Sequence, residues 1–275
     1  MLQRAPRRTW RSPSADTGRP HVLIGPSRAA LQAAAAVLAC GMAVSALAGC
    51  SGTAPLQHRT RDYQVGGPVR ALVVHGHVGG IQVTGGDVGA VSVTERISFR
   101  DTPPVTTRRV TGGILTLDSS CPARDGCTVG YDIKLPKATP VNVSDNVGTI
   151  ALRSLSGPVT AHTDVGNIDV VSVSGPVGVT GHAGQILGQD VSSPHAVAHV
   201  SAGRIDMTFS AAPATLTAVS TAGSVALRVP GGVSYRVHAS TRIGSTQVTV
   251  PSSPSSPHVI TATVTTGSVT VEPAP

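Results

Sequence analysis

Large rings are almost missing from this 275-residue chain: aromatic residues make up 2%, with three Tyr, two Phe and one Trp. A core built on aromatic packing is therefore excluded. Charge is scarce as well, at 13% Asp, Glu, Lys and Arg, against 40% hydrophobic residues. That balance is the opposite of a charge-rich disordered chain. Cysteine is limited to four residues with no CxxC pair among them, so a zinc-ribbon or finger site has no ligand set. The HExxH, GxSxG, SxxK and Walker A patterns are also absent. Short residues remain: Val, Thr, Ser and Ala, punctuated by 31 Gly and 21 Pro. β-Branched residues broken by Gly and Pro read as many short strands.

The net charge of +7 is a property of one end. Residues 1–50 hold six Arg (Arg4, Arg7, Arg8, Arg11, Arg19, Arg28) and a single acid, Asp16. The rest carries 15 basic against 13 acidic residues, with Arg108-Arg109 its only adjacent basic pair. Nothing there forms a basic footprint for nucleic acid.

The basic stretch precedes an uncharged apolar run, residues 29–49, the order of a secretory signal. The run ends in Leu47-Ala48-Gly49-Cys50, which is similar to a bacterial lipobox. The expectation is cleavage between Gly49 and Cys50 and diacylglycerol on the Cys50 thiol. Two acyl chains suffice for stable anchoring, at roughly 0.8 kcal/mol per buried CH₂. A plain transmembrane helix is the alternative, since about 20 residues span a bilayer. The predicted organisation is a signal peptide over 1–49, a lipidated tether over 50–64 and a β-strand-repeat domain over 65–272. Cys40 is lost with the signal. Outside the cytoplasm, Cys121 and Cys127 are expected to form a disulfide, with free thiols as the alternative.

From residue 145 the sequence repeats itself. VGTIAL, VGNIDV, AGQILG, AGRIDM, AGSVAL, IGSTQV and TGSVTV carry glycines at Gly148, Gly166, Gly184, Gly203, Gly223, Gly244 and Gly267, 18 to 23 residues apart. Between them lie units such as SGPVTA and SGPVGV, with Pro158, Pro176, Pro194 and Pro213. A Gly corner, then alternating apolar residues, makes a short strand with one inward face. Ile168 and Val170, Ile205 and Met207, and Val225 and Leu227 are the inward pairs. Such a unit buries its apolar face only by stacking. The predicted fold is all-β: a β-helix or solenoid-like stack with about 18–23 residues per coil, seven coils giving a rod of about 29 Å. A β-sandwich is the alternative, disfavoured because Asn-Gly and Asp-Gly hairpin turns are missing here. Upstream, segments 69–76, 79–86, 90–99 and 112–119 read as strands, with loops at 100–111 and 119–128.

IKLPKATPVNVSDNVGTI, followed by VGNIDV-type and SGPV-type units in alternation, resembles the bacterial β-strand-repeat proteins grouped as a putative adhesin domain of unknown function. The resemblance spans roughly residues 65–272. It implies a β-helix-like body at the cell surface or envelope and transfers no catalytic residues.

For chemistry, the candidates are few. A β-helix can carry sugar-cleaving carboxylates on one outer face, and Asp145, Asp164, Asp169, Asp190 and Asp206 are available. Asp169 and Asp206 share a phase but sit two coils apart, roughly 10 Å, wider than the ~5–9.5 Å of paired glycosidase carboxylates. Solvated turn carboxylates explain them more simply, as exposed polar faces explain the nine His after residue 50. His75 and His77 share a strand face and would need a third metal ligand. The expectation is thus a non-catalytic, lipid-anchored extracytoplasmic protein without cofactor or metal, whose partners are the membrane and an envelope polymer or surface protein. An extracellular carbohydrate-active enzyme on a β-helix is the alternative.

Overall fold

The computed structural model describes residues 55–122 and 126–275, all within one compact unit, Ser51–Pro275. Every regular element among them is a strand. Eight long strands make the stack: β2 (Ala71–Gly86), β7 (Val141–Arg153), β8 (Val159–Val171), β9 (Val177–Val191), β10 (His195–Phe209), β11 (Thr215–Val229), β12 (Arg236–Val248) and β13 (Val259–Pro273). Each pairs in parallel with its neighbours, in register at the corner glycine: Gly79, Gly148, Gly166, Gly184, Gly203, Gly223, Gly267, then Gly244. The result is a solenoid-like stack in one open, mostly parallel sheet. Parallel pairing rules out hairpins as the origin of the repeat.

The corner glycines are obligatory for a steric reason. Gly166 has φ +146° and lies so close to the rung before it that a Cβ would stand 1.7 Å from the Gly148 carbonyl oxygen. Each coil therefore bends at its glycine into two legs. Inward columns run up the stack. Ile81, Ile150, Ile168, Ile186, Ile205, Val225 and Val269 share one position of the second leg, all essentially inaccessible. At another position Gly188 faces Met207, whose side chain fills the space a residue at 188 would take. The expected inward pairs are all buried, Ile168 and Val170 at 0% and Ile205 and Met207 at 0% exposure among them. Prolines precede the first legs, where they give no N–H but accept: Val141 N–H bonds Pro158 O (2.9 Å) and Val159 N–H bonds Pro176 O (2.8 Å).

The ends differ from expectation. At one end the strand order is β11–β13–β12, so the last strand of the chain sits inside the previous one. β13 supplies Val264 and Val269 where β12 has Thr241 and Thr246, and the more apolar strand takes the covered position. At the other end, β3 (Val91–Phe99) and β6 (Thr128–Pro136) pair antiparallel and join the second leg of β2 through β6. Residues 105–111, expected within a loop, form β4 (Val105–Thr111), a hairpin with β5 (Ile114–Ser120). Most of the segment expected as a tether, 50–64, falls in β1 (Gln57–Val65), which pairs along its whole length with β3. The charges that made QHRTRDYQV read as a linker suit an edge strand. Tyr63 donates to Glu95 (2.8 Å), and Arg59 packs 4.8 Å from the Phe99 ring centre. Cys121 and Cys127 are disulfide-bonded, closing the β5–β6 connection.

Candidate functional site

Alternation along the first leg sends two phases outward, four and two residues before the corner glycine. The first phase runs His75, Ser144, His162, Thr180, His199, Val219 up the stack. The second runs His77, Asn146, Asp164, His182, Ser201, Thr221, each flanked on both sides by ladder partners. Five of the nine His after residue 50 thus share one outer face. No Lys or Arg interrupts these rows until Arg242, on the terminal strand.

His75 and His77, the pair singled out in the sequence, take separate neutral partners. His75 Nδ1 is 2.9 Å from Ser144 Oγ, and His77 Nδ1 is 3.3 Å from Asn146 Nδ2. The convergence lies on the next coils. His162 Nε2 stands 3.1 Å and His182 Nδ1 3.2 Å from the same atom, Asp164 Oδ1. The two rings meet edge to face, centres 5.4 Å apart. A signal for this group exists in the sequence: Asp164 and His182 each precede a corner glycine by two, and His162 precedes Gly166 by four.

The carboxylates weighed for sugar cleavage do not form a pair. Asp169 and Asp206 occupy rungs on either side of Leu187. Arg228 holds Asp206 Oδ1 at 2.6 Å and Glu272 Oε1 at 2.9 Å. The depression beside Asp169, lined also by Arg153, Val171, Leu187 and Gln189, is only 150 Å³, below the ~300–1,000 Å³ of ordinary ligand pockets. Asp190 lies near the end of β9, at a φ of +52°, where hydrogen bonds from Ser210 and Ser172 lower its pKa. Asp145 is not outward at all. It is 1% exposed, and burial pushes its pKa up to about 7, opposed by the adjacent Asn146 N–H. Neither carboxylate oxygen has a partner with hydrogen-bond geometry.

Gly49 and Cys50 lie outside the described residues, as does the apolar run before them. Among the described residues no helix is long and apolar enough to cross a membrane.

Several solved structures are similar to this chain. A putative adhesin from Bacteroides fragilis is 17% identical, covers 79% of this chain and 97% of its own, and gives a TM-score of 0.43. A putative cell adhesion protein from Clostridium sporogenes is 11% identical over 79% and 100%, with a TM-score of 0.37. A putative lipid binding protein from Parabacteroides distasonis is 10% identical over 79% and 97%, with a TM-score of 0.39. These likenesses are too loose to carry an argument about this chain. No protein-family model matches the sequence, and no curated protein matches it.

Proposed function

We propose that this chain is a lipid-anchored extracytoplasmic protein with a non-catalytic binding or adhesion role at the cell envelope. The address is the argument for location: a basic stretch, an apolar run without charge, then Leu-Ala-Gly-Cys. In this reading residues 1–49 are removed, Cys50 carries the acyl chains, and a tether of a few residues leads to the body that begins at β1. The observation that carries the binding role is the periodic outer face. Short polar and His side chains recur once per rung in register, at the ~4.8 Å spacing of a β ladder, on a frame held by stacked corners. That surface suits an extended envelope polymer or a surface protein, contacted along its length. The carboxylate pair an enzyme of this shape would need is split by Leu187, and its Asp206 member is engaged by Arg228.

Two measurements test the reading. Cells fed a labelled fatty acid should incorporate it into the wild-type protein, and Cys50→Ser should abolish labelling and move the protein out of the membrane fraction. Membrane retention of Cys50→Ser, with no labelling of the wild type, would overturn the anchor. The purified protein should co-sediment with insoluble cell-wall polymer or bind a defined surface protein saturably; absence of both removes the binding role.

A further inference from the structure

We propose that His162, Asp164 and His182 form a binding site for one divalent transition-metal ion of the zinc class. This goes beyond the envelope-binding role and does not depend on it. Three ligand atoms of the right kind converge: Nε2 of His162, Oδ1 of Asp164 and Nδ1 of His182, all within 4.8 Å of one another. Zinc bound at about 2.0–2.1 Å by tetrahedral N and O ligands sets neighbouring ligand atoms roughly 3.3 Å apart. The two edges to Asp164 Oδ1, 3.1 and 3.2 Å, already have about that length. Closing the third edge asks only for side-chain rotation.

The backbone presents the three groups without strain. Asp164 and His182 sit on adjacent rungs, bracketed by the pairs Thr163↔Gly181 and Val165↔Ala183. His162 is on the same leg as Asp164, two residues earlier, so both point outward. The rungs are fixed by the neighbouring corners Gly166 and Gly184, one stacked on the other. The donor set of two imidazoles and a carboxylate suits Zn²⁺, Cu²⁺ or Ni²⁺ over Mg²⁺ or Ca²⁺, which want more oxygen ligands. Side-chain exposures of 40%, 46% and 63% leave the outer coordination position open to water or to a donor from another molecule. No cationic residue lies on the adjoining rungs of either row to repel a metal ion: their members are Ser144, Asn146, Thr180, His199 and Ser201. Asp164 lowers the net charge of the loaded site in the manner of His₂-carboxylate centres.

The test is calorimetric titration of the full, untagged chain, purified in detergent and stripped with chelator, using ZnCl₂ alone. One Zn²⁺ per chain is expected, with Co²⁺ giving the intense visible bands of a low-coordinate N/O site. His162→Ala, Asp164→Ala and His182→Gln should each weaken binding by at least about tenfold. All three positions are on the surface, and unchanged melting curves check that the variants fold. The double variant His75→Ala/His77→Ala should bind as the wild type does. Three results overturn the proposal: no saturable zinc binding, retained affinity in a His162→Ala/His182→Gln double variant, or loss of the site in the His75/His77 variant instead.

Discussion

Asp145 is the least expected residue in the molecule. It falls on the inward phase, three before Gly148, where the other rungs place Gly76, Thr163, Gly181, Val200, Ser220 and Val264. Space for it comes from Gly76, where a Cβ would stand 2.6 Å from Asp145 Oδ1. Buried without an ionic partner, the carboxyl holds its proton far above the usual range, to about 7 from 3.8. Below about pH 4 both folded and unfolded chains are protonated here, and the fold bears no penalty. As pH rises towards 7 the unfolded chain ionises first, so stability falls across that interval and levels off above it. Asp145→Asn removes the proton equilibrium. Thermal midpoints of wild type and variant should therefore lie close below about pH 4 and separate progressively up to about pH 7, with the variant the more stable. Parallel curves would mean that Asp145 does not titrate in this range. An outward Asp145 is the natural reading of SDNVG, because polarity at a strand end ordinarily marks the wet side; only the ladder phase places it inside.

At the scale of the coil, two glycines in β9 distinguish steric necessity from tolerance. Gly184 has φ +138°, and a Cβ there would sit 1.8 Å from the Gly166 carbonyl oxygen. Gly184→Ala must push adjacent rungs away from each other, and a loss of more than about 3 kcal/mol is expected. Gly178, in the first leg of the same strand, has nothing nearer than Val159 O at 4.0 Å. Gly178→Ala should be neutral or stabilising by up to about 1 kcal/mol. Urea unfolding of both variants checks the contrast, and equal effects would disprove the stacking account. This corner was legible in the sequence, as were the inward columns, because a period of 18 to 23 residues repeats both. The metal-capable group was hidden for the same reason that the coil was visible. Its ligands come from two coils, so the 18 residues between Asp164 and His182 look remote until the chain is aligned on its corner glycines. β1 was unreadable on other grounds: as an edge strand its polar side chains carry no one-sided apolar pattern.

The described body is a stack whose two ends must be closed, and the closing devices are what repetition does not announce. Order along the sequence implies that β12 docks on β11 and β13 on β12; the stack instead places β13 between them. The reason is chemical. A strand facing β11 must offer apolar residues against Leu216, Ala218, Val225 and Leu227, and β13 does so with Ile260, Ala262, Val264, Val269 and Val271, all buried. β12 would bring Thr241 and Thr246 to the positions of Val264 and Val269, burying two hydroxyls without assured partners. On the outside its largely exposed side chains make it a polar cap, as terminal repeats of solenoids require. The chain should therefore respond to truncation out of proportion to the length removed. A stop after Pro257 deletes β13 and leaves β12 with no strand to pair, while β11 loses its apolar neighbour. Residues 230–257 should become protease-sensitive and the product should self-associate through the bared β11 edge, while the coils from β7 to β10 stay protected because each rests only on its neighbours. Limited proteolysis with mass spectrometry, read beside sedimentation velocity, resolves both effects. Continued protection of 230–257 in a monomer would mean that β12 has moved onto β11, and that the two threonines cost less to bury than this account requires.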